Sequence, residues 1–171
     1  LLDSAMAVCE ENKLEYFKVK VLNEKGNIYG NLGDISRSLS YYLAASKISE
    51  KYNDKKNLVG AYANIGISFM YNKQYAKSKE YLRKALALAI EQKDDKNIGN
   101  IYNNLGAIYM EENQRDSALY FFKSAAAHFE KVDFKRGLGY CNYYTAYLYQ
   151  RANDHKAALQ YFEKAADVFT K

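Results

Sequence analysis

The same residue types return every 40 positions along this chain. Tyr42, Leu82, Phe122 and Phe162 are spaced by 40, and so are Ala45, Ala85, Ala125 and Ala165. Tyr29, Phe69, Tyr109 and Tyr149 form a third series; Gly26, Gly66 and Gly106 form a fourth, which Ala146 closes. A period in this range marks stacked supersecondary units, each too small to bury its own apolar face, and not a single globular core. A stack of this kind presents an extended surface, which points to binding and away from chemistry in a pocket.

Within one period the apolar spacing is helical. Tyr102, Leu105, Gly106 and Tyr109 fall on one narrow stripe, at i, i+3, i+4 and i+7. Ala118, Phe121, Phe122, Ala125 and Phe129 form a second stripe of the same kind. The polar run Glu111 to Asp116 separates them, so each period reads as helix, turn, helix. The sequence predicts a second helix of a truncated repeat over 1–12, then four helix pairs within 16–51, 56–92, 96–132 and 136–170. No proline interrupts a helix, and no alternating strand pattern occurs. The chain of 171 residues reads as a single array, and because it opens inside the repeat pattern without an initiating Met, a longer parent chain is expected.

The small residues have a packing reason. A glycine inside a helix costs about 1 kcal/mol relative to alanine, so Gly66 and Gly106 in mid-stripe imply close approach of a partner helix. Ala45, Ala85, Ala125 and Ala165 imply the same closeness on the second helix, with Phe69, Tyr109, Phe122 and Phe162 filling the space beside them. Lys25 interrupts the stripe where Ile65 and Leu105 sit; either its stem packs and its amine reaches water, or the first pair is looser.

These residues resemble the tetratricopeptide repeat family, whose pattern is W-x2-L-G-x2-Y, then A-x3-F, then P. The matching stretches are Tyr62-x2-Ile65-Gly66-x2-Phe69, Tyr102-x2-Leu105-Gly106-x2-Tyr109, Ala118-x3-Phe122 and Ala158-x3-Phe162; Ser38-x3-Tyr42 and Ser78-x3-Leu82 are weaker copies. Gly33-Asp34-Ile35 looks like the family's turn between paired helices. The resemblance implies an all-α fold, a right-handed superhelical stack of antiparallel helix pairs. The chain departs from the pattern in its period of 40, its missing closing proline and its replacement of the motif tryptophan by Leu22, Tyr62, Tyr102 and Asn142. The extra six residues are expected to lengthen the second helix and its connection. The longer variant resembles repeat arrays of bacterial regulators and of partner-binding adaptors, which implies recognition of protein and no catalysis.

Signals for other functions are absent. The only histidines, His128 and His155, lie far apart; His128 occupies the place of Ile48, Leu88 and Val168 and reads as a packed helical residue. No His-x3-His, Cys-x2-Cys or Glu-x2-His spacing occurs, and Gly26, Gly30 and Gly33 lack the strand that a phosphate loop needs. No cofactor, metal or enzyme activity is therefore expected. Cys9 and Cys141 stand more than three repeats apart, which excludes a disulfide in a linear stack. The net charge of +5 comes from lysines dispersed among acids, as in Lys93-Asp94-Asp95-Lys96, whereas nucleic-acid binders cluster their positive charge. No apolar run is long enough to span a membrane, and the first ten residues carry no secretory signal pattern. A soluble, cytoplasmic setting is expected, with a periplasmic sensor region as the alternative.

The first helix of each pair has a second face, opposite the core stripe, which the resemblance turns toward a concave groove. It carries Asn23 and Asn27 in the first pair, Asn64 in the second, Asn103 and Asn104 in the third, and Tyr140, Tyr143, Tyr144, Tyr147 and Arg151 in the fourth. An amide offers both a donor and an acceptor and so matches an extended peptide backbone; tyrosine adds broad apolar contact with a polar tip. Asn100, Asn104, Tyr140 and Tyr144 stand where a clamp for a C-terminal carboxylate would place cations, so that mode is not expected. The sequence thus points to a module that binds a protein or extended peptide within a larger regulatory protein. The alternative is a structural spacer, or a homodimer formed through end repeats that expose Phe162, Val168 and Phe169.

Overall fold

The structure, a computed structural model, describes residues 2–11 and 14–169. The described residues form helices and no strand: α1 (Leu2–Glu11), α2 (Glu15–Asn31), α3 (Ile35–Lys51), α4 (Lys55–Tyr71), α5 (Tyr75–Glu91), α6 (Asp95–Glu111), α7 (Arg115–Lys131), α8 (Lys135–Arg151) and α9 (His155–Phe169). The expected helix ends at 1, 12 and 170 lie outside the described residues, as does the side chain of Phe169. The chain divides into two compact units, Leu1–Leu88 and Ala89–Lys171.

From α2 to α9 the helix boundaries are set by one device, repeated at each connection. A residue in the left-handed region follows each of α2 to α8: Gly33, Asn53, Lys73, Lys93, Asn113, Asp133 and Asn153, with φ between +47° and +78°. The next residue turns its N–H back to a carbonyl five positions earlier, as Asp34 does to Tyr29 at 2.9 Å and Asp94 to Ala89 at 3.0 Å. This closes the exposed carbonyls of the outgoing helix. The same aspartate then caps the incoming one: Asp34 accepts from the N–H of Arg37, Asp54 from Asn57, Asp94 from Asn97 and Asp154 from Ala157, all at 3.0–3.1 Å. Helices α2 to α8 are all 17 residues long. The added length is therefore shared by both helices of a pair, and is not confined to the second as the sequence suggested.

In unit 1, α2 packs on α3, α3 on α4 and α1 on α2. Val19, Leu22 and Ala45 are buried together, with Met6, Tyr41, Ala44 and Ile48 packed around them. The glycine stripe works by close approach: a Cβ on Gly26 would lie 2.5 Å from the Tyr42 ring, and one on Gly66 would lie 2.8 Å from Leu82. The two serines that weaken the motif are buried without loss, because Ser38 donates to the Gly26 carbonyl at 2.8 Å and Ser78 to the Gly66 carbonyl at 2.6 Å. Lys25 packs its stem as expected, and its amine meets an exposed carboxylate at the surface. Its side chain is 13% exposed and its Nζ lies 2.6 Å from Asp3 Oδ1.

In unit 2, α6 packs on α7, α7 on α8 and α8 on α9. Phe122 is fully buried beside Met110, Ala118 and Leu148. Phe129 is buried with Ala125 and Cys141. Across four hairpin turns the rings of Tyr29–Tyr41, Phe69–Tyr81, Tyr109–Phe121 and Tyr149–Tyr161 stack at 5.1–5.6 Å. Each such pair locks one helix to the next beyond the area it buries. Phe162 and Val168, expected as exposed end residues, are half-buried.

Candidate functional site

A groove of unit 1 with a volume of about 860 Å³ is walled by α2, α3 and α4. Asn27 and Asn31 enter it from α2 and Asn64, Ile67 and Tyr71 from α4, with Ser38 and Tyr42 on the α3 side. Spacing places them there. Residues 27 and 31 are one turn apart on α2, and 64, 67 and 71 follow the i, i+3, i+7 pattern of a single helix face. Glu24 is the one charged residue in the lining.

Asn27 is oriented from behind. The Tyr42 hydroxyl donates to its Oδ1 at 2.7 Å, so the carboxamide presents its N–H donors. Burial pushes the Tyr42 phenol above its usual pKa, which keeps it a neutral donor. Sequence reasoning assigned Tyr42 to the core alone. The signal was present, since the copies at 82, 122 and 162 are Leu, Phe and Phe and carry no hydroxyl.

Asn23 and Asn103 occupy equivalent places in their repeats and have different surroundings. Asn103 Oδ1 accepts a weak bond from the Sγ–H of buried Cys141 at 3.7 Å. Burial pushes that thiol up to about 12, so it remains protonated. The position equivalent to Cys141 in the repeat after Asn23 is Ala61, which has no side-chain donor, and Asn23 Oδ1 is buried with no hydrogen-bond partner. Both residues are half-buried, as are Asn64 and Asn104.

The tyrosines of α8 do not share one environment. Tyr140, Tyr143 and Tyr147 are 41%, 47% and 39% exposed. Tyr144 is half-buried, stacked on Phe122 at 5.2 Å and packed against the cluster around it. Its ring serves the core of unit 2 and not an exposed face. Tyr143 also leans inward, meeting Phe162 edge to face at 6.0 Å. Arg151 donates to Asn113 Oδ1 at 2.7 Å, tying the end of α8 to the turn that follows α6.

His128 is not simply packed. Its Nδ1 lies 2.5 Å from Asp95 Oδ1, and Lys131 Nζ lies 3.1 Å from the same oxygen. Among the described residues no group of three or more His, Cys, Asp or Glu side chains is placed to hold a metal ion, and no helix is long and apolar enough to cross a membrane.

Family models described as tetratricopeptide repeat match residues 19–52, 58–131 and 97–171. Among solved structures, the Rap protein complexed with competence and sporulation factor superposes with a TM-score of 0.83 at 22% identity, over 92% of this chain and 46% of that one. NprR in complex with its cognate peptide NprX gives 0.77 at 16% identity, over 98% and 48%. Aspartyl phosphate phosphatase F from Bacillus subtilis gives 0.82 at 20% identity, over 88% and 40%. The chain thus spans less than half the length of each of these structures, and at such identities the likeness shows the fold alone. No curated protein matches the chain.

Proposed function

Since the chain belongs to the tetratricopeptide repeat family, we propose that it is a recognition module that binds an extended peptide segment in the groove of unit 1, as the interaction region of a larger regulatory protein. The observation that carries this reading is the groove itself, with three carboxamides of α2 and α4 in its wall and one of them, Asn27, aimed by Tyr42. A peptide in extended form leaves its carbonyls and N–H groups unpaired, and fixed carboxamides satisfy both. Ile67 and Tyr71 supply apolar contact for its side chains. Glu24, with no cation beside it in the lining, favours peptides that are neutral or basic at that point over acidic tails. Two of the similar structures hold a competence and sporulation factor or a cognate peptide, which supports the reading by analogy of fold. In unit 2, Asn104 and the exposed Tyr140, Tyr143 and Tyr147 are proposed as further peptide contacts.

The test is selection of binders from a displayed library of random peptides against the whole chain, followed by titration of the best binder. Asn27→Ala and Asn64→Ala should each weaken binding about five- to tenfold, the loss of one or two net hydrogen bonds. A binder whose affinity neither substitution changes, with folding intact, would remove the groove from consideration.

A further inference from the structure

Unit 1 holds another cavity, of about 480 Å³, between the first turn of α2, the last turn of α3 and the start of α4. Its place in the repeat explains why it exists. Two periods further on, the same positions carry a buried aromatic pair of unit 2. Ser49 stands where Phe129 stands, Asp54 where Phe134 stands, and Val19 where Gly99 stands. In unit 2, Phe129 is 1% exposed and meets Phe134 edge to face at 5.3 Å. Its ring lies so close to Gly99 that a Cβ there would be 2.6 Å away. Unit 1 keeps the frame and lacks both rings. The methyls of Val19 replace only part of that volume, which leaves a recess open at one end.

The polar groups of the hollow point to an occupant. Ser49 lines it, is 1% exposed, and its Oγ has no hydrogen-bond partner. A buried hydroxyl left unpaired is unfavourable, which calls for a group that pairs with it. The walls near it are apolar, from Val19 and Ile48; the mouth carries Tyr16 and Tyr52, 53% and 54% exposed. Lys20 Nζ lies 4.6 Å from the Tyr16 ring centre and Lys51 Nζ 5.2 Å from that of Tyr52, so both rings already draw cations. Two carboxylates, Glu15 and Asp54, complete the lining; Asp54 also accepts from the N–H and Nδ2 of Asn57.

We propose that this cavity binds a small aromatic amine whose ring bears a hydrogen-bonding group. The ring takes the volume that Phe129 and Phe134 fill in unit 2, its hydroxyl or N–H pairs with Ser49 Oγ, and its ammonium lies at the carboxylate-lined mouth. The site is independent of the peptide groove and stands or falls separately from it.

The probe is tyramine, titrated into the whole chain while the methyl resonances of Val19 and Ile48 are followed by NMR. Saturable shifts are expected, with phenethylamine, which lacks the hydroxyl, binding about fivefold more weakly, and p-cresol, which lacks the charge, also more weakly. Ser49→Ala should erase the preference for tyramine over phenethylamine, and Glu15→Gln should reduce the preference over p-cresol. Ser49→Phe, which restores the ring of the second unit, should abolish binding of all three; if it fails to fold, the Ser49→Ala comparison still decides. Absence of saturable shifts up to about 10 mM tyramine, weaker than any specific site of this kind, would overturn the proposal, as would a tyramine preference that survives Ser49→Ala.

Discussion

The hydroxyl of Tyr42 donates to Oδ1 of Asn27 across 2.7 Å, joining a buried core ring to the wall of the groove. One side chain thereby does two jobs. Its ring fills the space that Gly26 leaves open, and its oxygen fixes which way the Asn27 amide faces. Tyr42→Phe keeps the ring and removes only the oxygen. Stability should fall by about 0.5–1.5 kcal/mol, the net worth of one hydrogen bond. Peptide affinity should fall too, because Asn27 can then rotate. Equal affinity for wild type and Tyr42→Phe, measured by calorimetry on a selected peptide, would show that the bond does not orient the site.

Glycine substitutions separate packing from propensity. A Cβ on Gly106 would lie 2.7 Å from the Phe122 ring, whereas one on Gly60 meets nothing within 4 Å. Both residues sit inside 17-residue helices. Gly60→Ala should therefore stabilise by roughly 0.5–1 kcal/mol, the helix propensity gain. Gly106→Ala should destabilise, by about 1–3 kcal/mol from overpacking. Urea denaturation of the two variants checks the signs, and equal shifts in the same direction would contradict the geometry.

The connections make a further prediction. Lys93 adopts φ +55°, and at the α2–α3 connection the equivalent residue is Gly33, at φ +78°. The left-handed conformation costs an ordinary side chain about 1 kcal/mol or more, and glycine far less. Lys93→Gly should raise the urea midpoint by the equivalent of up to about 1 kcal/mol, part of it offset by glycine's freedom in the unfolded chain. A lowered midpoint would mean that the lysine side chain contributes to the turn.

Much of the fold was legible because the period carried it. The 40-residue spacing marked Phe122 and Ala125 as core, and both are fully buried. Replacing Phe122 with alanine should accordingly cost about 3–5 kcal/mol. The finer period of 20 in the turns escaped notice, since the left-handed position is filled by Gly, Asn, Lys and Asp and shows no single residue type. What a helix wheel cannot supply is depth. Tyr144 shares its face with Tyr140 and Tyr147, yet it stacks on Phe122 because α7 packs against α8 there. Nor does a wheel foresee partners from another helix, such as Cys141 for Asn103 or Asp3 for Lys25. Asn27 and Asn64 of the groove wall lie on the face that spacing picked out, Ser38 and Tyr42 do not, and the hollow at Ser49 emerges only when unit 1 is set beside unit 2.

Asp95 gives a pH dependence with a definite sign. His128 and Lys131, both on α7, reach its carboxylate at the start of α6. Beside an oxygen that can only accept, the Nδ1 of His128 carries the proton. The hydrogen bond from His128, and then the one from Lys131, holds the Asp95 carboxyl below its ordinary range. A group with a depressed folded-state pKa adds stability above its unfolded value, near 4, and that stability is lost as pH falls through the folded value. Wild type should therefore exceed Asp95→Asn in stability at pH 6, and the gap should narrow at about pH 3 and below. Chemical denaturation of both proteins at the two pH values reads this directly. A gap that stays constant from pH 6 to pH 3 would mean that the carboxylate's charge plays no part in joining α6 to α7.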